Sequence, residues 1–192
     1  VVQVNGDIWR ARLDGESDSR PKPLIASTYL DMVPDYSPDG RRIAFASWRS
    51  GHLEVWVSDS EGTNAVQLTH HAPDDADCPA WSPDGTLIAY HANVDNYRDV
   101  FVVEASGGTP RRLTHREGMD VAPTWSRDGR WIYFTSGRSG RQGIWKVPVR
   151  GGDAVFVAHG SHAQESADGK TIFIDDGKEL WSMPAGGGQR TN

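Results

Sequence analysis

The sequence lacks several features that mark common protein classes. Cys78 is the only cysteine, so no disulfide can form within the chain. Basic residues are in the minority, with 20 Lys and Arg against 26 Asp and Glu. The resulting net charge of −6 gives no general attraction to phosphate backbones, so we predict no nucleic acid partner. No apolar run approaches the ~20 residues of a membrane span, and no direct membrane insertion is expected in this segment.

Familiar catalytic motifs are also missing. Serine hydrolases of the α/β type need Gly-x-Ser-x-Gly, and the nearest approach, residues 137–141, lacks the final glycine. There is no His-Glu-x-x-His, phosphate loop or dinucleotide fingerprint. Cys78 follows Asp75 and Asp77, whose charges should raise the pKa of the thiol and disfavour a reactive thiolate. We therefore predict no catalytic residues, no cofactor and no resident metal, although a hydrolase domain could lie outside this segment.

Turn-forming residues and tryptophan are abundant, with 21 Gly, 11 Pro and 8 Trp. A Ser-x-Asp-Gly turn recurs four times, and its Asp residues are separated by 45, 44 and 40 positions. These turns occupy residues 37–40, 82–85, 126–129 and 166–169. Such a period is typical of the blades of a β-propeller. Proline and aspartate favour the turn, and glycine accepts the positive φ that follows, so each turn should close a β-hairpin.

Alternating apolar residues flank every turn and predict four antiparallel strands, A to D, in each repeat. The fold class is therefore all-β, a β-propeller of four-stranded antiparallel blades with about four blades present. We expect it to be part of a six-bladed ring. The repeats divide the single, partial propeller of residues 1–192 into 1–35 (strands C and D), 36–78, 79–122, 123–162 and a partial 163–192. In the last repeat Ala163 and Glu165 replace the usual proline and aromatic, which predicts an irregular inner strand.

The repeat resembles that of TolB-like propellers, which are WD-repeat-like. The resemblance rests on the turns at 37–40 and 82–85, on Ile43-Ala44-Phe45 and on Gln67-Leu68-Thr69, and it covers essentially the whole chain. That family includes sensor domains of bacterial membrane regulators and propellers of prolyl-oligopeptidase-type peptidases. The resemblance implies a periplasmic or cell-surface location and a protein or peptide ligand. It leaves the function open, because one scaffold hosts many roles.

The longer loops, D–A and B–C, share one side of the propeller, and variable loops on a rigid scaffold are the usual place for recognition. We therefore expect a ligand site at the channel mouth on this side. Acidic residues of the D–A loops could converge there on a cation such as calcium, an amine or a basic peptide end. The candidate ligand-binding residues are Asp31, Asp75, Asp77 and Asp120 from the D–A loops and Trp48, Arg49, Tyr97, Arg98 and Arg138 from the B–C loops.

Plainer interpretations of the same residues stay open. The aspartates could cap backbone N–H groups, as aspartate often does in turns. Arg49 and Arg138, which occupy matching positions, could pair with carboxylates of neighbouring blades. His70, His115 and His159 also repeat, but they lie too far apart for one shared metal, and only a local site from His70, His71 and Asp74 would be possible.

Three functions remain compatible with the sequence. The first is a non-catalytic protein- or peptide-binding propeller, TolB-like or the sensor domain of a bacterial membrane regulator. The second is the substrate-gating propeller of a prolyl-oligopeptidase-type peptidase. The third is a metal-dependent enzyme acting at the channel mouth. The identity of the ligand and the oligomeric state do not follow from the sequence.

Overall fold

A computed structural model describes residues 6–11, 20–115 and 118–190, and every regular element in these ranges is a β-strand. Among these residues, no helix is long and apolar enough to cross a membrane. The strands are β1 Ile8–Arg10, β2 Lys22–Ile25, β3 Asp31–Tyr36, β4 Arg42–Ser47, β5 Glu54–Asp59, β6 Val66–Gln67, β7 Ala76–Trp81, β8 Leu87–Val94, β9 Tyr97–Glu104, β10 Arg111–Arg112, β11 Val121–Trp125, β12 Trp131–Ser136, β13 Gly143–Pro148, β14 Val155–His159, β15 His162–Glu165, β16 Thr171–Asp175 and β17 Leu180–Pro184.

The strands form five antiparallel sheets, which we number as blades in chain order. Blade 1 contains β1 and β2, blade 2 contains β3 to β6, blade 3 contains β7 to β10, blade 4 contains β11 to β14 and blade 5 contains β15 to β17. Strands C and D, three complete blades and strands A, B and C are therefore present, as the repeat predicts. The inner strands β3, β7, β11 and β15 contact one another in succession, which is the arrangement of a propeller.

The hydrophobic core is divided among the interfaces between blades. Ile8 and Ile25 of blade 1 pack on Phe45 of blade 2. The next interfaces bury Tyr90, then Phe134, among the apolar residues of blades 2 to 4. Between blades 4 and 5 the cluster includes Trp181. Trp56 and Trp145 lie against the cluster of their own interface, so these recurring tryptophans fill the spaces between blades.

The four Ser-x-Asp-Gly turns are built alike. In each, the serine hydroxyl donates to the aspartate carboxylate at 2.6–2.7 Å. In the turn of blade 4, burial works to raise the pKa of Asp128, but hydrogen bonds from Arg130 and Ser126 outweigh it and lower the pKa to about 2. The glycine that follows has φ between 68° and 71° in every turn, a region that residues with a Cβ rarely adopt.

The inner strands of blades 2, 3 and 4 each contain a β-bulge. In every case the register shifts by one residue next to a proline, and the residue before that proline has a positive φ. Those residues are Val33, Cys78 and Ala122, with φ of 49°, 53° and 52°. Proline cannot donate to the ladder, and a bulge accommodates the missing hydrogen bond.

The prediction of an irregular inner strand in the last repeat is wrong. Strand β15 pairs with β16 through four consecutive residues without any register shift. Ala163 stands where the other blades have proline, so its N–H is available to the ladder and no bulge is needed. The replacement of the proline therefore makes this strand more regular than its counterparts.

Candidate functional site

The inner strands line an open cavity of about 540 Å³ that extends from the bulges to the A–B turns. Its walls are largely apolar, with proline and aromatic rings from blades 2, 3 and 4, while blade 5 contributes polar groups. The residues that define it include Val33, Tyr36, Cys78, Trp81, Trp125, Arg127, His162 and Glu165. A cavity of this size, with apolar walls and a few polar groups, is typical of ligand sites.

Hydrogen bonds between blades hold the cavity wall. The indole Nε1 of Trp81 donates to the carbonyl of Asp35 in the preceding blade at 3.1 Å. Trp125 donates in the same way to Ala80 at 2.9 Å. Asp35 Oδ2 also accepts the backbone N–H of Trp81 at 2.7 Å. Burial raises the pKa of Asp35, and the hydrogen bonds from backbone N–H groups oppose that rise.

Blade 5 uses a carboxylate where the other blades have an aromatic ring. Glu165 accepts the hydroxyl of Tyr133 at 2.6 Å and the backbone N–H of Arg127 at 2.7 Å, both in blade 4. Burial raises the pKa of Tyr133 beyond its usual range, and Glu165 adds to the rise. The acidic group is thus held at the cavity wall, and the cavity has one polar side facing aromatic rings on the others.

Two of the predicted acidic residues are neutralised rather than free. Asp31 contacts Arg49 at 2.8 Å, and Asp120 contacts Arg138 at 2.5 Å. Both carboxylates are completely buried, and the guanidinium groups lie over aromatic rings of the same blade. Arg49 and Arg138 do form ion pairs, but the interpretation that their partners lie in neighbouring blades is wrong, because Asp31 and Asp120 belong to the same sheets as the arginines. These two carboxylates are not positioned to bind a cation at an open mouth.

The other acidic candidates act locally. Asp75 Oδ1 accepts the backbone N–H of Leu53 at 3.2 Å, and Asp77 Oδ1 accepts that of Cys78 at 2.5 Å. The capping interpretation therefore describes both residues. Burial and the nearby Asp77 raise the pKa of Cys78 to about 12, in line with the expected absence of a reactive thiolate.

The remaining candidates lie in the B–C loops. Trp48 is 39% exposed and Tyr97 is exposed at the start of β9, so both are accessible to a partner. Arg98 donates to Asn93 at 3.1 Å and lies 3.3 Å from Nε2 of His91. None of the nine predicted residues lines the cavity among the inner strands. The two faces of the propeller thus offer separate candidate surfaces.

The repeating histidines do not assemble a common site. His71 lies in the loop between blades 2 and 3, where its Nε2 is 2.9 Å from the hydroxyl of Tyr90 and its ring packs on Phe101 of blade 3. Among the described residues, His70, His71 and Asp74 do not come close enough together to hold one metal ion. Asp77, Cys78 and His91 do. Sequence reasoning missed His91, which forms no motif with the other two in the sequence.

Sequence reasoning did not include the aromatic residues of strand A among the candidate site residues. Tyr36, Trp81 and Trp125 line the cavity as well as anchoring the strands. The available signal was their position, since each lies on the innermost strand next to the turn.

Comparisons with known proteins agree with this architecture. TolB of Bordetella pertussis, named as a Tol-Pal system protein, is 33% identical over 153 residues, which is 80% of this chain and 35% of that protein. The chain thus spans about a third of that relative's length. A solved structure from Agrobacterium tumefaciens, assigned as a TolB, superposes with a TM-score of 0.86 at 26% identity. The superposition covers 97% of this chain and 73% of the A. tumefaciens chain.

A more distant structure shares the fold alone. A puromycin-hydrolyzing peptidase of Mycobacterium tuberculosis gives a TM-score of 0.71 at 20% identity, covering 93% of this chain and 31% of the peptidase. Residues 7–183 match the family model of the TolB beta propeller domain. Together with the blades and the repeat, this match shows that the chain belongs to the TolB-like β-propeller family.

Proposed function

We propose that this chain is a non-catalytic propeller module that binds a protein or peptide, in the periplasm or at the cell surface. The observation that carries the proposal is the open cavity of about 540 Å³ lined by the inner strands of a TolB-family propeller. The relative from B. pertussis is named for a Tol-Pal system, which favours a protein partner. The extracytoplasmic location is what the resemblance to TolB-like propellers implies.

The wall chemistry suits an extended peptide segment. Proline and aromatic rings offer rigid apolar surface, which is the kind that anchors peptides. Positive φ values at Val33, Cys78 and Ala122 interrupt the strand pairing along the same wall. Strained backbone of this kind is concentrated at binding sites, and Val33 is a notable case because its side chain is β-branched. An entering segment would meet both apolar surface and irregular backbone.

The proposal is tested with the Pal protein of the bacterium that encodes this chain, because the name of the B. pertussis relative indicates a Pal-type partner. Purified chain and Pal are mixed in a calorimeter, and the dissociation constant is compared with those of Tyr36→Ala and Arg127→Ala. Both side chains are exposed at the cavity, so their removal should leave the fold intact. We expect binding that weakens by about 10-fold or more in Tyr36→Ala, as for an interface aromatic.

Matched controls lie on the opposite face. Trp48→Ala and Tyr97→Ala remove aromatic side chains of similar exposure in the B–C loops, and Pal affinity should stay within about 2-fold of wild type. If these variants lose binding while Tyr36→Ala does not, the loop face is the binding surface. Absence of any binding by wild type would contradict Pal-type recognition by this chain.

A peptidase-gating role is a second candidate, favoured by the shared fold of the M. tuberculosis peptidase. In that case, a hydrolase segment encoded beside the propeller would supply catalysis. The parent gene would reveal it directly.

A further inference from the structure

Blade 3 differs from its neighbours at three positions that meet in space. The turn aspartate of blade 3 is Asp84. Asp77 and Cys78 lie seven and six positions before it, and His91 lies seven positions after it. The equivalent residues are Met32, Val33 and Ala46 in blade 2, and Val121, Ala122 and Thr135 in blade 4. The repeat therefore has mostly apolar residues here, and blade 3 alone of these three has a carboxylate, a thiol and an imidazole together.

The bulge of β7 brings the three groups into one place. Asp77 pairs with His91 across the ladder, and Cys78 follows at the register shift, so two consecutive residues oppose a single partner. One carboxylate oxygen, the sulfur and one imidazole nitrogen all lie within 4.8 Å of one another. This spacing allows three ligand atoms to surround a single ion.

His91 supplies an independent indication that a ligand is bound here. His91 is only 3% exposed, and its Nδ1 is a buried polar atom without a hydrogen-bond partner. Nε2 is occupied, since it lies 3.3 Å from a guanidinium nitrogen of Arg98. Buried polar atoms almost always have a partner, so an unpaired imidazole nitrogen beside a thiol and a carboxylate needs an explanation.

We propose that Asp77, Cys78 and His91 form a binding site for a zinc-type divalent transition metal ion, with Nδ1 of His91 as the imidazole ligand. Thiolate and imidazole together select zinc-type metals over calcium, which prefers oxygen ligands alone. On binding, the metal displaces the thiol proton of Cys78 to solvent and forms a metal–sulfur bond. The imidazole proton moves from Nδ1 to Nε2, which frees the Nδ1 lone pair for the metal and breaks the contact in which the Arg98 guanidinium donates to Nε2. No oxidation state changes in either step.

Two features locate the site and control its affinity. Cys78 lines the central cavity, so an ion with three protein ligands is reached from there and keeps a fourth position for water or a ligand group. Arg98 opposes the metal, because its positive charge lies against the same imidazole. Its equivalents are Leu53 and Gln142, so the guanidinium is not required by the repeat.

The test is a titration of the metal-free protein with Co²⁺ and then with Zn²⁺ in the presence of a competing chelator. We expect one ion per chain, a thiolate-to-Co²⁺ charge-transfer band, and displacement of Co²⁺ by Zn²⁺. Cys78→Val and His91→Thr introduce the residues found at the equivalent places in blades 2 and 4, so the fold should tolerate them. Each should weaken Zn²⁺ binding by about 100-fold or more, and Cys78→Val should also abolish the band.

Two further variants separate this site from incidental binding. Arg98→Gln, which introduces the residue that blade 4 has at the equivalent position, should tighten Zn²⁺ binding by about 3-fold or more, because a repelling charge is removed. His70→Ala removes an exposed histidine elsewhere and should change nothing. The proposal is overturned if wild type shows no charge-transfer band, or if Cys78→Val and His91→Thr bind Zn²⁺ as tightly as wild type.

Discussion

Blades 3 and 4 solve the same packing problem in different ways. Blade 4 buries the ion pair between Asp120 and Arg138, and blade 2 has the equivalent pair. At the matching positions blade 3 has Ala76, which is fully buried, and Val94. The guanidinium of Arg138 lies over Phe134 and Trp145, whereas in blade 3 the ring of His71 packs on Tyr90 and Phe101. The space over these rings is thus filled in both blades, by an ion-paired guanidinium in blade 4 and by an imidazole in blade 3.

The cost of burying a carboxylate is consistent with the occurrence of both solutions. Burial raises the pKa of Asp120 even though Ser136 and Arg138 interact with its carboxylate. The ionised form is therefore less favourable in the folded protein than in water. A buried ion pair can be replaced by apolar residues with little loss, whereas removal of one partner is expensive.

The largest expected effect comes from breaking the pair in blade 4. Asp120→Ala removes the carboxylate beside a guanidinium whose side chain is only 7% exposed. We expect the free energy of unfolding to fall by about 3–5 kcal/mol. Urea unfolding followed by tryptophan fluorescence measures the change. Asp153→Ala, in an exposed turn, is the control and should alter stability by less than about 0.5 kcal/mol.

A smaller effect is expected when blade 4 is given the residues of blade 3. The double variant Asp120→Ala with Arg138→Val reproduces Ala76 and Val94. Because both charges leave together, we expect a loss of less than about 3 kcal/mol, clearly below that of Asp120→Ala alone. Part of this loss comes from the space over Phe134 and Trp145, because the variant has no counterpart of the His71 ring that fills it in blade 3. The same unfolding experiment decides the matter. A double variant as unstable as the single one would show that blade 4 depends on the pair itself.

The smallest effect is a pH dependence that distinguishes the two blades' solutions. A carboxyl whose folded pKa is raised binds its proton more tightly in the folded state, so its ionisation costs stability as pH rises. The wild type should therefore lose stability relative to the double variant as pH increases from about 4, and the difference should level off once Asp120 is ionised. A difference that stays constant from about pH 4 to pH 7 would contradict this account.

The strands can be predicted well from the sequence because the residue pattern of each strand recurs in several repeats. Trp56, Phe101 and Trp145 share one position after the turn, and each lies in the third strand of its blade. The ion pair within one blade could also have been predicted. The turn closes a hairpin in which Asp31 lies opposite Ser47, and Ser47 is two residues from Arg49.

The candidate metal site could not be predicted because of the bulge. Counting back from the turn of blade 3, an unbroken hairpin would pair His91 with Cys78 and leave Asp77 on the other face of the sheet. The register shift pairs His91 with Asp77 instead. A shift of one residue exchanges the faces of a strand, and the sequence alone does not show on which side of the proline it falls.

The division of the core among the blade interfaces has a consequence for how such a protein can change over evolutionary time. In the part of the chain that the structure describes, each hydrophobic cluster joins adjacent blades, so we expect substitutions that remodel one blade to disturb its immediate neighbours most. A new binding site can therefore arise in a single blade while the remaining blades continue to supply the scaffold.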